Sequence, residues 1–151
     1  MENMKSNEPA ACPVARAANL IGDEWILLVL RELFKGPQRF DALQKNTKAA
    51  TNILSNRLNR MIESGLVAKV PYQERPPRFN YHLTKAGIAL FPSLLELWKY
   101  GQEWLPCAEP EPAMLRHRDC GNITRPGQTC SECGGQLTTR NLLLESGGVE
   151  P

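Results

Sequence analysis

The chain has 151 residues, of which 42% are hydrophobic and 23% are charged, and its formal net charge is only +2. This composition excludes an intrinsically disordered chain, and the length suits one domain of ordinary size with an appendage. So small a net charge does not by itself indicate nucleic acid as a partner, although arginine and lysine are concentrated in the middle of the chain. Since there is no secretory signal and no apolar run long enough to cross a bilayer, we expect a cytoplasmic protein without a membrane partner.

The first part of the chain predicts a disordered tail followed by two helices. Residues 1–11 are polar and lack periodicity. A short helix begins at Pro13, because proline suits the first turn of a helix. Asp23 can cap the next helix, Glu24–Lys35, which is apolar nearly all round and therefore belongs at the centre of a core.

The next stretch predicts a helix-turn-helix. A short helix over Arg39–Asn46 and a tight turn lead into Ala50–Gly65, whose apolar residues lie three and four positions apart. The opposite face of this second helix carries amides, hydroxyls and guanidinium groups, which can read DNA bases and bind phosphates. Taken alone, such a helix would more often be an amphipathic helix with a solvated face, and its neighbours in the chain decide for DNA. The candidate DNA-binding residues are Lys48, Thr51, Asn52, Ser55, Asn56, Arg57 and Asn59.

A β-hairpin is predicted directly after these helices. Two apolar runs, Leu66–Val70 and Phe79–Leu83, are separated by Pro76-Pro77, which cannot continue a strand ladder. A hairpin in this position is a wing, and Arg75 and Arg78 at its tip would contact the DNA backbone or minor groove. The alternative is a solvated hairpin with ordinary surface arginines.

Thr84 can cap a long helix, predicted over Lys85–Trp104. This helix has more apolar residues than one flank of a small domain can bury, which favours a homodimer interface. A two-fold dimer would place two recognition helices on successive DNA half-sites. The alternative is that the N-terminal helix covers this surface within the monomer.

A proline-rich acidic linker over residues 106–113 separates a domain over residues 12–105 from a small segment over residues 114–145 and a tail over residues 146–151. The small segment contains two similar motifs, each with two potential metal ligands followed by glycine. Five cysteines in a cytosolic chain point to metal or redox chemistry before disulfides. The candidate ligands of a structural zinc ion are His117, Cys120, Cys130 and Cys133.

In this interpretation the segment is a zinc-ribbon-like unit with short strands at Met114–Leu115 and Leu137–Arg140. The glycine after each motif would let the backbone turn so that amides point at the sulfur atoms. The alternative is a segment that only resembles a zinc ribbon, in which the thiols are free or paired and apolar contacts hold the hairpin. Nothing in the pattern indicates a catalytic metal.

The sequence resembles the HxlR family of bacterial regulators over about Cys12–Trp104. The resemblance rests on Cys12-Pro13-Val14, Leu20–Trp25, Leu28–Leu33, Gly36–Phe40, Leu54–Leu58, Gly65–Val67, Pro76–Tyr81 and Leu83–Gly87. It implies a winged-helix fold related to the MarR group, a homodimer and transcriptional control of nearby genes. The C-terminal segment looks like an extension that only some members carry.

Two features bear on this resemblance. Members commonly have Gly-Ile-Ser/Ala before the recognition helix, whereas this chain has Lys48-Ala49-Ala50, so Thr47 or Thr51 would have to cap that helix. Some relatives sense oxidants or electrophiles through the cysteine that corresponds to Cys12, and a thiol at a helix N-terminus has a larger thiolate fraction. The favoured alternative for Cys12 is a small packing residue.

The predicted fold class is mainly α with a small β-hairpin, a winged helix-turn-helix domain plus a small zinc-ribbon-like β segment. The predicted function is a sequence-specific DNA-binding transcriptional regulator, a dimeric repressor of a double-stranded DNA operator, released by an unidentified ligand or by thiol oxidation. The alternative is an adaptor that contacts another protein through the zinc segment on a winged-helix scaffold. No nucleophile motif or phosphate-binding glycine loop is present, so we expect no enzymatic activity.

Overall fold

A computed structural model describes residues 11–111 and 113–146, so residues 1–10 and 147–151 of the two predicted tails lie outside the described residues. The helices are α1 (Pro13–Ile21), α2 (Glu24–Leu33), α3 (Phe40–Thr47), α4 (Thr51–Glu63), α5 (Lys85–Ile88) and α6 (Phe91–Trp104). The strands are β1 (Gln38–Arg39), β2 (Val67–Gln73), β3 (Arg78–Leu83), β4 (Ala113–His117), β5 (Ile123–Thr124) and β6 (Leu142–Ser146). Helices with one small hairpin sheet and a second small sheet near the C-terminus confirm the predicted fold class. Among the described helices, none has the length and apolar character needed to cross a bilayer.

Helix α2 lies at the centre of the larger core, as its nearly continuous apolar sequence predicts. Ile26 and Leu30 are fully buried, and α2 contacts α3, α4 and β3. The helix ends at Leu33, two residues earlier than predicted. The reason is that the last turn tightens, because the amides of Lys35 and Gly36 donate to carbonyls only three residues back.

Asp23 fixes the start of α2 and also joins it to α4. One carboxylate oxygen accepts hydrogen bonds from the backbone amides of Trp25 and Ile26 at 2.9 and 3.3 Å, which confirms the predicted cap. The other oxygen lies 2.8 Å from Nε of Arg57. Desolvation alone would raise the pKa of Asp23, but the bonds from Arg57 and the two amides outweigh it, so the pKa is lowered.

The turn between α3 and α4 depends on a residue in the left-handed backbone region. Lys48 has φ of 59° and closes α3 by donating its amide to the carbonyl of Gln44 at 2.9 Å. The predicted capping of α4 by Thr47 or Thr51 is wrong, because Ala50 holds the cap position without a side-chain bond. The Thr47 hydroxyl instead donates to the carbonyl of Leu43 and accepts from the amide of Ala49 within the turn.

The wing is an antiparallel hairpin of β2 and β3, with Val67 opposite Leu83 and Val70 opposite Asn80. On the other side of β3 lies β1, which the sequence did not predict, so the sheet order is β1-β3-β2. Because β1 has only two residues, it shows no strand periodicity in the sequence. It is a strand only because it pairs with β3. As a result α3 begins at Phe40 instead of at Arg39.

The predicted continuous helix Lys85–Trp104 is wrong, because the chain breaks between α5 and α6. Pro92 lies in the first turn of α6 and has no N–H to donate to the carbonyl of Ile88, so a continuous helix would lose that bond. The predicted cap of α5 is confirmed, since the Thr84 hydroxyl accepts from the amide of Gly87 at 3.2 Å.

The second sheet has the order β5-β4-β6, and β4 includes the predicted strand Met114–Leu115. The predicted strand Leu137–Arg140 is wrong, and its place in the sheet belongs to β6. The side chain of Asn141 accepts from the amide of Thr138 at 2.8 Å and donates to a nearby carbonyl, which holds residues 136–141 in a turn.

This second sheet covers one face of α6. The buried residues of the shared cluster are Phe91, Leu95, Leu115, Cys130 and Leu137. Neither of the two covers considered from the sequence, a partner subunit or the N-terminal helix, occupies this face. Part of the apolar surplus of α6 is therefore buried within the monomer.

We expect Asp23→Ala to lower the free energy of unfolding by about 1 kcal/mol through loss of the cap. Loss of the ion pair with Arg57 should add less than about 1 kcal/mol, since the pair is partly exposed. Urea denaturation at neutral pH measures both effects. Asp23→Asn is the matched control, because asparagine caps a helix well but cannot form the ion pair, so it should lose less stability than Asp23→Ala.

The advantage of the wild type over Asp23→Asn should also depend on pH. A carboxyl group whose pKa is lowered in the folded state contributes its full stabilisation above the ordinary value, here 3.8. The advantage should therefore persist at neutral pH and disappear as the pH falls below that value. An advantage that grew on acidification would contradict the assigned pairing of Asp23.

Candidate nucleic-acid interface and metal centre

The recognition helix α4 buries one face and exposes the other. Leu54, Leu58 and Met61 are buried in the core. Side chains four and seven residues apart share one face of a helix. The side-chain amides of Asn52, Asn56 and Asn59 therefore form one exposed row on α4, the amide row. Among the candidate residues in and just before α4, Lys48, Thr51, Asn52, Asn56 and Asn59 are exposed and Ser55 is half-buried.

Arg57 is less free than its neighbours on α4. Its Nε binds Asp23, and a terminal nitrogen donates to Oδ1 of Asn56 at 2.8 Å. An amide oxygen has two lone pairs, so Asn56 can still accept from a base while it accepts from Arg57. Arg57 therefore lies at the edge of the exposed amide row and is bound to both Asp23 and Asn56.

The wing adds positive charge beside α4. Arg75 and Arg78 are exposed at the tip of the hairpin. Lys69 lies 4.2 Å from the ring centroid of Phe79, which holds its charge against the sheet. Sequence reasoning missed Arg39, because it assigned this residue to a helix. Arg39 is exposed in β1 and lies 4.6 Å from the ring centroid of Tyr72, so it belongs to the basic surface of the wing.

The structure brings all four predicted metal ligands together. Their donor atoms lie within 4.8 Å of one another. The sulfur atoms of Cys120 and Cys130 are 3.8 Å apart, and Sγ of Cys133 lies 3.3 Å from Nδ1 of His117. All three cysteines are free thiols. The four side chains could therefore hold a metal ion.

Backbone amides point at the sulfur atoms, as the glycine pattern predicts. The amides of Glu132 and Gly135 lie 3.4 Å from Sγ of Cys130 and Cys133, respectively. Gly134, which follows the second motif, has φ of 76°. Gly135 is a residue that sequence reasoning missed. A Cβ atom at Gly135 would lie 3.1 Å from Cε1 of His117, so its small size makes room for the imidazole.

The cluster favours one thiolate strongly. Desolvation would raise the pKa of Cys130, but amides of Cys133 and Glu132 and nearby side chains outweigh it and lower the pKa to about 6. The amide of Gly135 lowers the pKa of Cys133, but desolvation and the neighbouring sulfur atoms outweigh it, so that pKa is raised. Crowded thiols of this kind lose their protons together only when a cation balances the charge.

Comparison with known proteins finds relatives that match most of the chain. A family model described as HxlR-like helix-turn-helix matches residues 20–109. Rv3095 of Mycobacterium tuberculosis, named as an uncharacterized HTH-type transcriptional regulator, is 42% identical over 134 residues, or 89% of this chain and 85% of that protein. The crystal structure of PA1607, a candidate transcription factor, is 35% identical with a TM-score of 0.70, covering 87% of this chain and 92% of PA1607. The oxidized form of the redox regulator HypR is 26% identical with a TM-score of 0.57, covering 60% and 95%.

The chain belongs to the HxlR-like helix-turn-helix family. The predicted resemblance is thereby confirmed, and the protein is a transcriptional regulator of the HxlR type and not an enzyme. Regulators of this type bind DNA and commonly act as dimers. The matches to Rv3095 and PA1607 span enough of the chain to extend beyond residue 109, where the family model ends.

Two cysteines of this HxlR-type regulator lie outside the metal cluster, and both are exposed. Cys12 directly precedes α1, and its carbonyl accepts the amide of Arg16 at 3.1 Å. The packing role favoured for Cys12 from the sequence is not seen within the described monomer, because the side chain has no core around it. Cys107 lies after α6, away from the cluster.

Proposed function

We propose that the protein is a dimeric, sequence-specific repressor that reads an operator with α4 and is released by a ligand or by thiol oxidation. The observation that carries this proposal is the exposed amide and hydroxyl face of α4 beside a basic wing. A helix of this kind fits the major groove, where asparagine can bond to both N6 and N7 of adenine. Asn52 and Asn56 are the side chains assigned to base reading.

The wing and the start of α4 supply the part of the affinity that does not depend on sequence. Arg75 and Arg78 extend beyond the hairpin, so they can neutralise phosphates next to the base-reading site. Lys48 is exposed in the turn before α4, where its charge is available to a phosphate. Phosphate contacts fix the register of the helix, and base contacts specify the operator.

An exposed apolar surface supports the dimer. Leu97, Tyr100 and Trp104 on α6 are 50%, 56% and 69% exposed, and the last two rings stack with centroids 6.5 Å apart. Val14 on α1 is 75% exposed, and none of the residues of α1 is buried. Contiguous apolar surface of this kind marks a protein interface. We assign it to a second copy of the chain, with the two-fold axis placing the two α4 helices on successive half-sites.

We assign zinc to the cluster of cysteines and histidine. Zinc–sulfur bonds of about 2.3 Å in a tetrahedron place two sulfur atoms about 3.8 Å apart, and the sulfur atoms of Cys120 and Cys130 lie at 3.8 Å. Nδ1 of His117 faces the sulfur atoms, while its Nε2 lies 3.3 Å from a carboxylate oxygen of Asp119. Nε2 has no hydrogen-bond partner among the described residues, so a small shift of the exposed Asp119 side chain would let its carboxylate accept that N–H and orient the ligating histidine. Four protein ligands leave no open position, so the zinc is structural.

We expect the double substitution Asn52→Ala with Asn56→Ala to abolish discrimination between operator and random DNA while the fold is retained. Each good bidentate base contact contributes roughly 1–3 kcal/mol of discrimination. The measurement is the ratio of affinities for genomic fragments selected by the wild-type protein and for random duplexes. Asn122→Ala, an exposed amide on the C-terminal segment, is the control. Discrimination that survives in the double variant would place the reading face elsewhere.

Arg75→Ala should weaken binding to operator and random DNA by the same factor. Loss of one phosphate contact should reduce the slope of log affinity against log salt by about 1. A salt titration of DNA affinity measures this slope. Arg140→Ala, which removes an exposed arginine from the C-terminal segment, should leave the slope unchanged. A loss confined to the operator would mean that Arg75 reads bases.

Native mass spectrometry of the purified protein should give a dimer with one zinc ion per chain. Cys130→Ser should abolish zinc binding, whereas Cys107→Ser should retain it, because Cys107 lies outside the cluster. Asp119→Ala should lower zinc affinity by about 10- to 100-fold, as expected for an orienting carboxylate. A dimer purified without metal, and unable to take up zinc, would refute the assignment of the cluster and leave the DNA-binding proposal standing.

A further inference from the structure

The C-terminal segment borders a half-open cavity of about 430 Å³ against α2 and α6. This volume falls within the range of roughly 300–1,000 Å³ that is typical of small-molecule sites. The apolar part of its lining combines aromatic side chains of the helices with leucines of the C-terminal sheet. Its main members are Phe34, Phe91, Leu94, Trp98, Leu115 and Leu142.

The charged part of the lining is entirely positive. Arg31, Lys35 and Arg118 line the cavity, and no acidic residue does so among the described residues. Arg31 and Lys35 each lie 3.0 Å from the carboxylate of Glu32, which is buried behind them. Within the described part of the chain, no carboxylate pairs with the Arg118 side chain. Three cations against one carboxylate leave the cavity with positive charge that an anion can neutralise.

We propose that this cavity binds an amphipathic aromatic carboxylate. The rings of the ligand would pack against Phe34, Phe91 and Trp98, since aromatic rings favour edge and offset contacts with one another. The carboxylate would bind Arg118 and Lys35, because charge-assisted hydrogen bonds to a guanidinium or ammonium group are the strongest available here. The role of this ligand as an effector of a regulator rests on the proposed function. The claim that the cavity binds the ligand is independent of that function.

Contacts of Glu32 connect the cavity to the helix-turn-helix. Oε2 of Glu32 accepts from the side-chain amide of Asn46 at 3.1 Å, and Arg31 donates to the carbonyl of Asn46 at 3.2 Å. Asn46 lies in the last turn of α3, two residues before the left-handed residue Lys48. A ligand carboxylate that binds Arg118 and Lys35 competes with Glu32 for Lys35 and so changes the contacts of Glu32, which holds this turn through Asn46. Binding in the cavity therefore alters the position of α4.

The test is isothermal titration of the full-length, zinc-loaded protein with 2-naphthoate, compared with the uncharged 2-naphthamide. We expect one 2-naphthoate per chain and an affinity at least about tenfold higher than that of the amide, because a hydrogen bond to a charged group contributes about 1.5–3 kcal/mol. No binding of 2-naphthoate at millimolar concentration would overturn the proposal. Equal affinity for the two compounds would overturn the role of the cations.

Two pairs of variants locate the binding. Arg118→Gln should weaken 2-naphthoate binding about tenfold or more, whereas Arg140→Gln, on the same segment but outside the lining, should not change it. Leu144→Trp should fill the cavity and abolish binding, whereas Ile123→Trp, on strand β5 of the same sheet but outside the lining, should retain it. Binding that is unchanged in Arg118→Gln and Leu144→Trp would place the ligand elsewhere and refute the site.

Hydrogen exchange tests the connection to the turn. Saturation with 2-naphthoate should change amide exchange over residues 43–50 in the wild-type protein. Unchanged exchange would refute the coupling while leaving the binding site. Neither measurement uses DNA, so the two proposals can fail separately. A protein that binds 2-naphthoate but not DNA would refute the proposed repressor and leave the binding site standing. A protein that binds DNA but not 2-naphthoate would refute only the binding site.

Discussion

Two carboxylates at opposite ends of α2 tie the helix-turn-helix to the central helix. Asp23 caps the start of α2 and binds Arg57 of α4, so it adds a polar link to the apolar packing between these two helices. Glu32, in the last turn of α2, binds Asn46 at the end of α3. A carboxylate as deeply buried as Glu32 requires surrounding donors, which are supplied by Arg31 within α2 and by Lys35 just beyond its end. Both halves of the helix-turn-helix are thus tied to one central helix.

The C-terminal segment has too little apolar surface for a core of its own, so its packing on α6 and the proposed zinc ion have complementary roles. Leu115 and Leu137 bury themselves against Phe91 and Leu95 on one face of α6. A different face of the same helix carries the exposed rings assigned to the dimer interface. Dimer, metal centre and cavity can therefore coexist, and the cavity exists only because the segment covers the helix.

Local patterns were enough to predict much of the fold and of the candidate site. The spacing of Leu54, Leu58 and Met61 predicts α4 and, with it, which polar side chains lie on the outer face. Pro76-Pro77 fixes the tip of the wing, because proline cannot donate to a strand ladder. The cluster of His117 with three cysteines was predictable because each motif places two of its members within one short turn. Pro92 carried a signal for the break before α6, but the apolar periodicity on both sides concealed it.

The sequence by itself therefore determined what depends on neighbours along the chain: helix faces, the caps at Asp23 and Thr84, the hairpin and the two motifs that form the cysteine and histidine cluster. Only the tertiary structure decided what depends on residues far apart. The strand β1 forms because β3 lies beside it, and Arg57 turns toward Asp23, which is 34 positions away. The cavity needs α2, α6 and the C-terminal sheet at once. Periodicity in the sequence shows which face of one helix or strand is buried. These features form at contacts between separate helices and strands, and no local sequence pattern specifies which elements make contact.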